Sequence, residues 1–218
     1  MFLLGFACGL ALLALTAYRH ASPAWLRWTL FATAVGMLAR YASIAAFALA
    51  EKPETIWPLR HFWFASSVGL TLPSVFAVDQ LLRHPALTPA KILKFFSPFL
   101  AVYLALIAFG RFAAVADPVL GWTLKLSRGW AIVVSATQSG FILLFLAAGV
   151  WVLRKVPVAA IRLPVLLLMV AHLWLGFDGV LLAAGHWYFR PFLFSEMAAL
   201  LCLWYSFESA HVLQASGG

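Results

Sequence analysis

Apolar residues fall into seven long runs, at about 2–18, 24–50, 57–82, 93–115, 129–153, 162–185 and 190–212. Each is near the roughly 17–25 residues that carry an α-helix across a bilayer. Short polar or proline-bearing stretches separate them: Ser22-Pro23, Glu51-Lys52-Pro53-Glu54, His84-Pro85 with Thr88-Pro89, Asp117-Pro118, Lys155-Val156-Pro157 and Arg190-Pro191. Proline suits a helix start, because the N–H it lacks would be unpaired there anyway. Pro73 and Pro98 interrupt the third and fourth runs, where a proline in a membrane helix marks a kink. The pattern predicts an all-α fold: a single domain over residues 1–218, built as an integral membrane bundle of seven transmembrane helices. The connections are too short to hold a soluble domain, and no internal repeat is visible.

Composition agrees with that pattern. The chain is 65% hydrophobic and 10% charged, with a mean hydropathy of +0.98. A soluble domain carries about 25% charged residues, so here lipid must cover what polar side chains cannot. The formal net charge of +8 is spread through short loops rather than gathered into a basic, aromatic-interleaved patch, which argues against nucleic acid. Cys8 and Cys202 lie inside apolar runs and read as small hydrophobes, not as zinc ligands. The first run has no basic stretch before it and no small-residue cleavage site after it, which predicts a retained helix rather than a signal peptide.

The distribution of Lys and Arg sets an orientation. Arg19, Arg27, Arg83, Lys91, Lys94, Arg154, Lys155 and Arg162 fall on one side; Lys52, Arg60, Arg111, Lys125, Arg128 and Arg190 fall on the other, with Glu51, Glu54 and Asp117. The richer side is cytoplasmic by the positive-inside rule, which puts the N-terminus outside and the C-terminus in the cytoplasm. Trp25, Trp28, Trp57, Trp122, Trp130, Trp151 and Trp187 lie near predicted helix ends, as an interfacial aromatic belt does.

Ionisable residues within the runs are the candidate chemistry, since charge inside hydrocarbon is costly and marks a site by default. At about 1.5 Å per residue, Asp178 lies roughly 12 Å and Glu196 roughly 9 Å below the outer end of their helices. Arg40 and Gln138 fall at comparable depth, roughly 16 and 15 Å, and His61 lies nearer the surface. Thr33, Gly36, Arg40 and Ser43 share one helix face; so do Ser67, Thr71 and Ser74, and again Ser135, Gln138 and Ser139. Such stripes serve either as packing seams or as the wall of a pocket. The pocket reading places Arg40, His61, Gln138, Asp178, Glu196, Trp63 and Trp174 around a small apolar or anionic ligand, with Tyr41, Phe62, Phe177 and Tyr188 as further walls. Two acids beside one arginine also allow one to be protonated and act as a general acid.

Two cofactor readings can be weighed. Haem b between helices needs two histidines facing each other at one depth. His61 with His186, or two of His20, His84 and His211, are the pairs available, while His172 is alone and deep. Retinal fails because the seventh run has no lysine for a Schiff base.

The segment from Trp57 through Pro73 to Arg83 resembles the third helix of the seven-helix input regions of bacterial sensor kinases, with an aromatic start, a mid-helix proline and a closing arginine. The resemblance implies an outside N-terminus and a last helix that passes a signal to a cytoplasmic partner. Size and helix count are also similar to the small membrane-embedded terpene cyclases, which protonate an isoprenoid with a pair of acids in an aromatic cavity. The expected function is therefore a ligand- or partner-binding module in the cell membrane, sensor-like or an accessory subunit beside other membrane or cytoplasmic subunits. The alternative is an enzyme on a lipid or isoprenoid that uses Asp178 and Glu196 as an acid–base pair. A haem-bearing electron-transfer subunit is third.

Overall fold

The structure is a computed structural model that describes residues 2–83, 88–117, 121–183 and 192–216. It is mostly helical: α1 (Phe2–Tyr18), α2 (Ala24–Leu49), a 3-10 helix (Pro53–Phe62), α3 (Ser66–Gly69), α4 (Thr71–Leu82), α5 (Pro89–Phe109), α6 (Arg128–Lys155), α7 (Ala159–Ala183) and α8 (Leu193–Ser216). Among the described residues five helical stretches are long and apolar enough to cross a membrane: Ala24–Leu49, Pro53–Leu82, Pro89–Phe109, Arg128–Lys155 and Ala159–Leu181. That is compatible with a membrane location. Helix α1 is apolar but has only 17 residues.

Helix α8 falls short of the same measure for a physical reason. It packs on α7, α1 and α4, so protein rather than lipid surrounds much of it. It can therefore bury Ser195, Glu196 and Ser206 among apolar neighbours such as Leu200 and Leu203. Helix α7 is the opposite case. Leu163, Leu166, Val170, Leu173, Phe177 and Val180 recur at three- and four-residue steps and are all exposed. That is a continuous apolar stripe on one helix face, as contact with hydrocarbon requires.

Helix α1 packs on α8 and α2 and carries a fully buried ladder of Ala7, Ala11, Ala14 and Ala17. Small residues at this spacing let backbones approach closely, the main source of helix attraction where the surroundings are as apolar as the interface. Tyr18 closes the ladder edge-on against Phe207, ring centres 5.0 Å apart. On the other flank Phe96, Phe99, Phe141 and Phe145 stack between α5 and α6 and reach His172 of α7.

Two of the runs need correction. The run at 57–82 is not one helix. It is broken into the 3-10 helix, α3 and α4, and the break puts Pro73 in the first turn of α4, where its missing N–H costs little. Gly69 permits the break to press on α2: a Cβ there would lie 2.6 Å from Met37 and 3.3 Å from the Thr33 carbonyl. Pro98 does stay inside α5, and the Ser97 hydroxyl donates to the Lys94 carbonyl that the proline leaves unpaired, at 2.7 Å.

The run at 93–115 ends as a helix at Phe109. Beyond it Phe112–Asp117 forms β1, antiparallel to β2 (Gly121–Leu126), with Phe112 opposite Leu126 and Asp117 opposite Gly121. Polar Thr123 and Lys125 interleave with Trp122, Leu124 and Leu126, the two-residue period of a strand. Gly121 has φ +72°, and a Cβ on it would sit 2.5 Å from the Ala48 carbonyl. Glycine is required there on both counts.

Candidate functional site

The C-terminal ends of α2 and α5, the starts of α6 and α8 and the last turns of α7 converge at one end of the bundle. The hairpin and the 3-10 helix lie over that end. Ser43 donates to the Leu59 carbonyl at 2.8 Å, tying the 3-10 helix to α2. The His61 Nδ1 lies 2.6 Å from the Ile107 carbonyl, tying it to α5. Arg60 stacks over Trp57 at 5.3 Å.

Beneath them is a cavity of about 390 Å³. Arg40 and Glu196 are in its wall, joined side-on: Arg40 Nη2 is 2.8 Å from Glu196 Oε1, and Arg40 Nε donates to Oε2 at 3.2 Å. Both are almost wholly buried, with side chains 7% and 1% exposed. The Nε–Oε2 contact is a hydrogen bond, whereas Oε1 is held by charge alone and has no hydrogen-bond partner. Tyr41, also buried, brings its hydroxyl toward the same carboxylate without completing a hydrogen bond. Around the pair stand Ile44, Trp63, Leu70, Ile142, Leu175 and Phe192, and polar Ser67, Thr123, Ser135, Gln138 and Ser139. The Gln138 carbonyl accepts from Tyr103 at 2.5 Å, which leaves its amide N–H groups to donate elsewhere.

Four of the residues expected at the site, Arg40, Trp63, Gln138 and Glu196, therefore line one cavity. Three do not. His61 is engaged by the Ile107 carbonyl outside it. Trp174 is 45% exposed on the outward stripe of α7, beside Phe177, because residues three and four apart share a helix face. The Ser195 hydroxyl lies within hydrogen-bond reach of Asp178 Oδ2, at 2.5 Å, and of the Phe192 carbonyl, and its one proton can serve either acceptor. The acids stand on adjoining helices at one level but serve different partners. Of the other proposed walls, Tyr41 is buried and Phe62 is partly exposed, and neither lines the cavity; Tyr188 lies outside the described residues.

The serine stripes divide. Ser135, Gln138 and Ser139 line the cavity, whereas Thr71 and Ser74 are buried and turn back onto the carbonyls of Ser67 and Leu70. Thr123, Leu124 and Ser195 were not anticipated. The alternation around Leu124-Lys125-Leu126 was the available signal for the first two; Ser195 had none beyond standing next to Glu196.

Among the described residues the histidines do not converge on a centre. His172 is buried between Phe141 and Phe145, with Nδ1 2.9 Å from the Leu168 carbonyl of its own helix. His20 and His211 stack with ring centres 3.9 Å apart and planes 17° from parallel, so their nitrogens lie in separate planes instead of aiming at one atom. His84 and His186 lie outside the described residues. Among the described residues no three His, Cys, Asp or Glu side chains gather as a metal site would need.

Comparison of the chain with protein-family models, with curated proteins and with solved structures finds no match.

Proposed function

We propose that the chain is a seven-span membrane protein, N-terminus outside, whose cavity binds a small ligand without transforming it. On this reading α1 and α8 complete the set of spans. The single observation that carries it is the cavity with a self-neutralised Arg40–Glu196 pair in its wall. Its volume falls in the range of roughly 300–1,000 Å³ usual for small-molecule sites, and its surface combines apolar walls with a few fixed polar groups, as such sites do. A sensor-like bundle or an accessory subunit, signalling through a protein partner, fits equally with that chemistry.

The enzyme reading draws less support from the same geometry. Glu196 is committed to Arg40 through an ion pair and one hydrogen bond, so it already has a partner that is not a substrate. Asp178, the other half of the supposed acid–base pair, is absent from the cavity wall among the described residues.

Native mass spectrometry of the purified protein tests the proposal. A small-molecule adduct is expected on the wild type and should be lost in Ser139→Trp, which fills the cavity from an exposed position, with the melting temperature retained. An adduct unchanged in that variant, or none in any detergent, overturns it.

A further inference from the structure

We infer that the ligand is an uncharged, single-headed amphipath that enters sideways from the bilayer, between α6 and α7. This rests on the ligand-binding reading above and names its ligand class and route.

Helices α6 and α7 touch at mid-height. A Cβ on Gly176 would lie 3.2 Å from Ile142. From that contact toward the start of α6, both helices turn cavity-lining residues into the gap: Val134, Ser135 and Ser139 on one side, Gly179 and Val180 on the other. Ser135, Ser139 and Val180 are at once cavity-lining and exposed, so the gap is a mouth. It opens on a surface of exposed apolar residues, Ile132 and Val133 of α6 and Phe177 and Val180 of α7. A mouth framed by hydrocarbon-facing side chains admits molecules dissolved in lipid. The end of the bundle is covered instead: Thr123 and Leu124 of the hairpin are 7% and 6% exposed and line the cavity from above.

Charge selects the head group. Arg40 and Glu196 neutralise each other, and among the described residues no other charged side chain lines the cavity. An anionic head would have to draw Arg40 away and strand a buried carboxylate, which is strongly unfavourable. Hydroxyl, ester or carbonyl groups can instead meet the Gln138 amide and the Ser67 hydroxyl, while the chain lies along Ile142, Leu175 and Val180 toward the mouth.

The test uses the full chain in lipid nanodiscs with three diazirine probes: a long-chain monoacylglycerol, the matching fatty acid, and water-soluble monobutyrin. Labelled peptides are mapped by mass spectrometry. The monoacylglycerol is expected to label residues near Ser135 and Ile142, and Ser135→Trp, which plugs the mouth, should cut that labelling by about tenfold or more. Leu173→Trp, on the same lipid-facing surface of α7, should leave it unchanged, and both variants are checked for wild-type melting. Preference for the fatty acid overturns the uncharged head. Cavity labelling by monobutyrin alone, insensitive to Ser135→Trp, overturns bilayer entry and leaves the ligand-binding reading standing. No cavity labelling by any probe removes both.

Discussion

Helix α8 holds the bundle together by different means at its two ends. Near its start Glu196 is fixed to Arg40 in the wall of a cavity, and polar groups are buried beside empty space. Toward its end Phe207 packs against Tyr18 of α1, a helix with a buried alanine ladder, and the polar groups stack at the rim as His20 and His211. The ladder gains from dispersion at short range, and size is what it cannot tolerate changing. The ion pair gains from charge in a dry setting, and what it cannot tolerate is losing one partner. One helix thus separates a region built to be filled from a region already full.

That contrast can be broken most severely at the ion pair. Arg40→Met should cost about 3–5 kcal/mol, because it leaves Glu196 buried without its counter-charge. Arg40→Met with Glu196→Met should recover most of that loss, since a buried pair replaced by apolar groups is often neutral in stability. Denaturant titration in a fixed detergent reads both. Equal destabilisation by the single and double variants would show that the pair holds the fold through something other than charge.

At the ladder the sensitivity should be to volume. Ala14→Leu places three extra carbons in a buried contact and should cost about 1–3 kcal/mol. Gly179→Ala at the cavity is the control: its Cβ would meet Phe192 at an ordinary 3.9 Å, so the melting temperature should not fall. If both substitutions are tolerated alike, the two ends do not differ as described.

The smallest effect is a pH dependence at the histidine stack. Partial burial, then the charges of His211 and Arg19, hold His20 below its ordinary value, against a smaller pull from Glu208. The unfolded chain therefore takes up this proton at a higher pH than the folded one does, and stability rises with pH across that window. The contribution is complete above the ordinary histidine value of about 6.5 and is lost as pH falls through the lowered one. A shallow decline in melting temperature below neutrality should result, flattened by His20→Phe, which keeps an aromatic ring against His211. A decline of equal size in that variant would assign the titration elsewhere.

Much of the helical pattern was legible, because apolar runs of spanning length have few other uses in a chain this poor in charge. Arg40, Gln138 and Glu196 could be matched by depth alone, since axial rise fixes height whatever the packing. Rotation was harder to read. Trp174 and Phe177 sit at a suitable height but face outward, and nothing in their own residue types distinguishes a lipid-facing aromatic from a pocket wall. The hairpin was hidden for another reason: Phe112–Asp117 continues an apolar run without interruption, and short apolar runs do not by themselves separate strand from helix. Its pairing with Gly121–Leu126 and its seat on Ala48 decide the matter, and both are long-range facts.

The seat of the hairpin has a thermodynamic consequence. A two-stranded ribbon is at best marginally stable by itself in water. Its order must be borrowed from the end of α2, through the contact at Gly121 that only a residue without a Cβ can make. The amides of β1 and β2 should then exchange together, as one cooperative unit, at a rate set by how firmly they are docked. The ribbon is in effect a gauge mounted on the bundle, and its exchange rate reads the state of the helices beneath it.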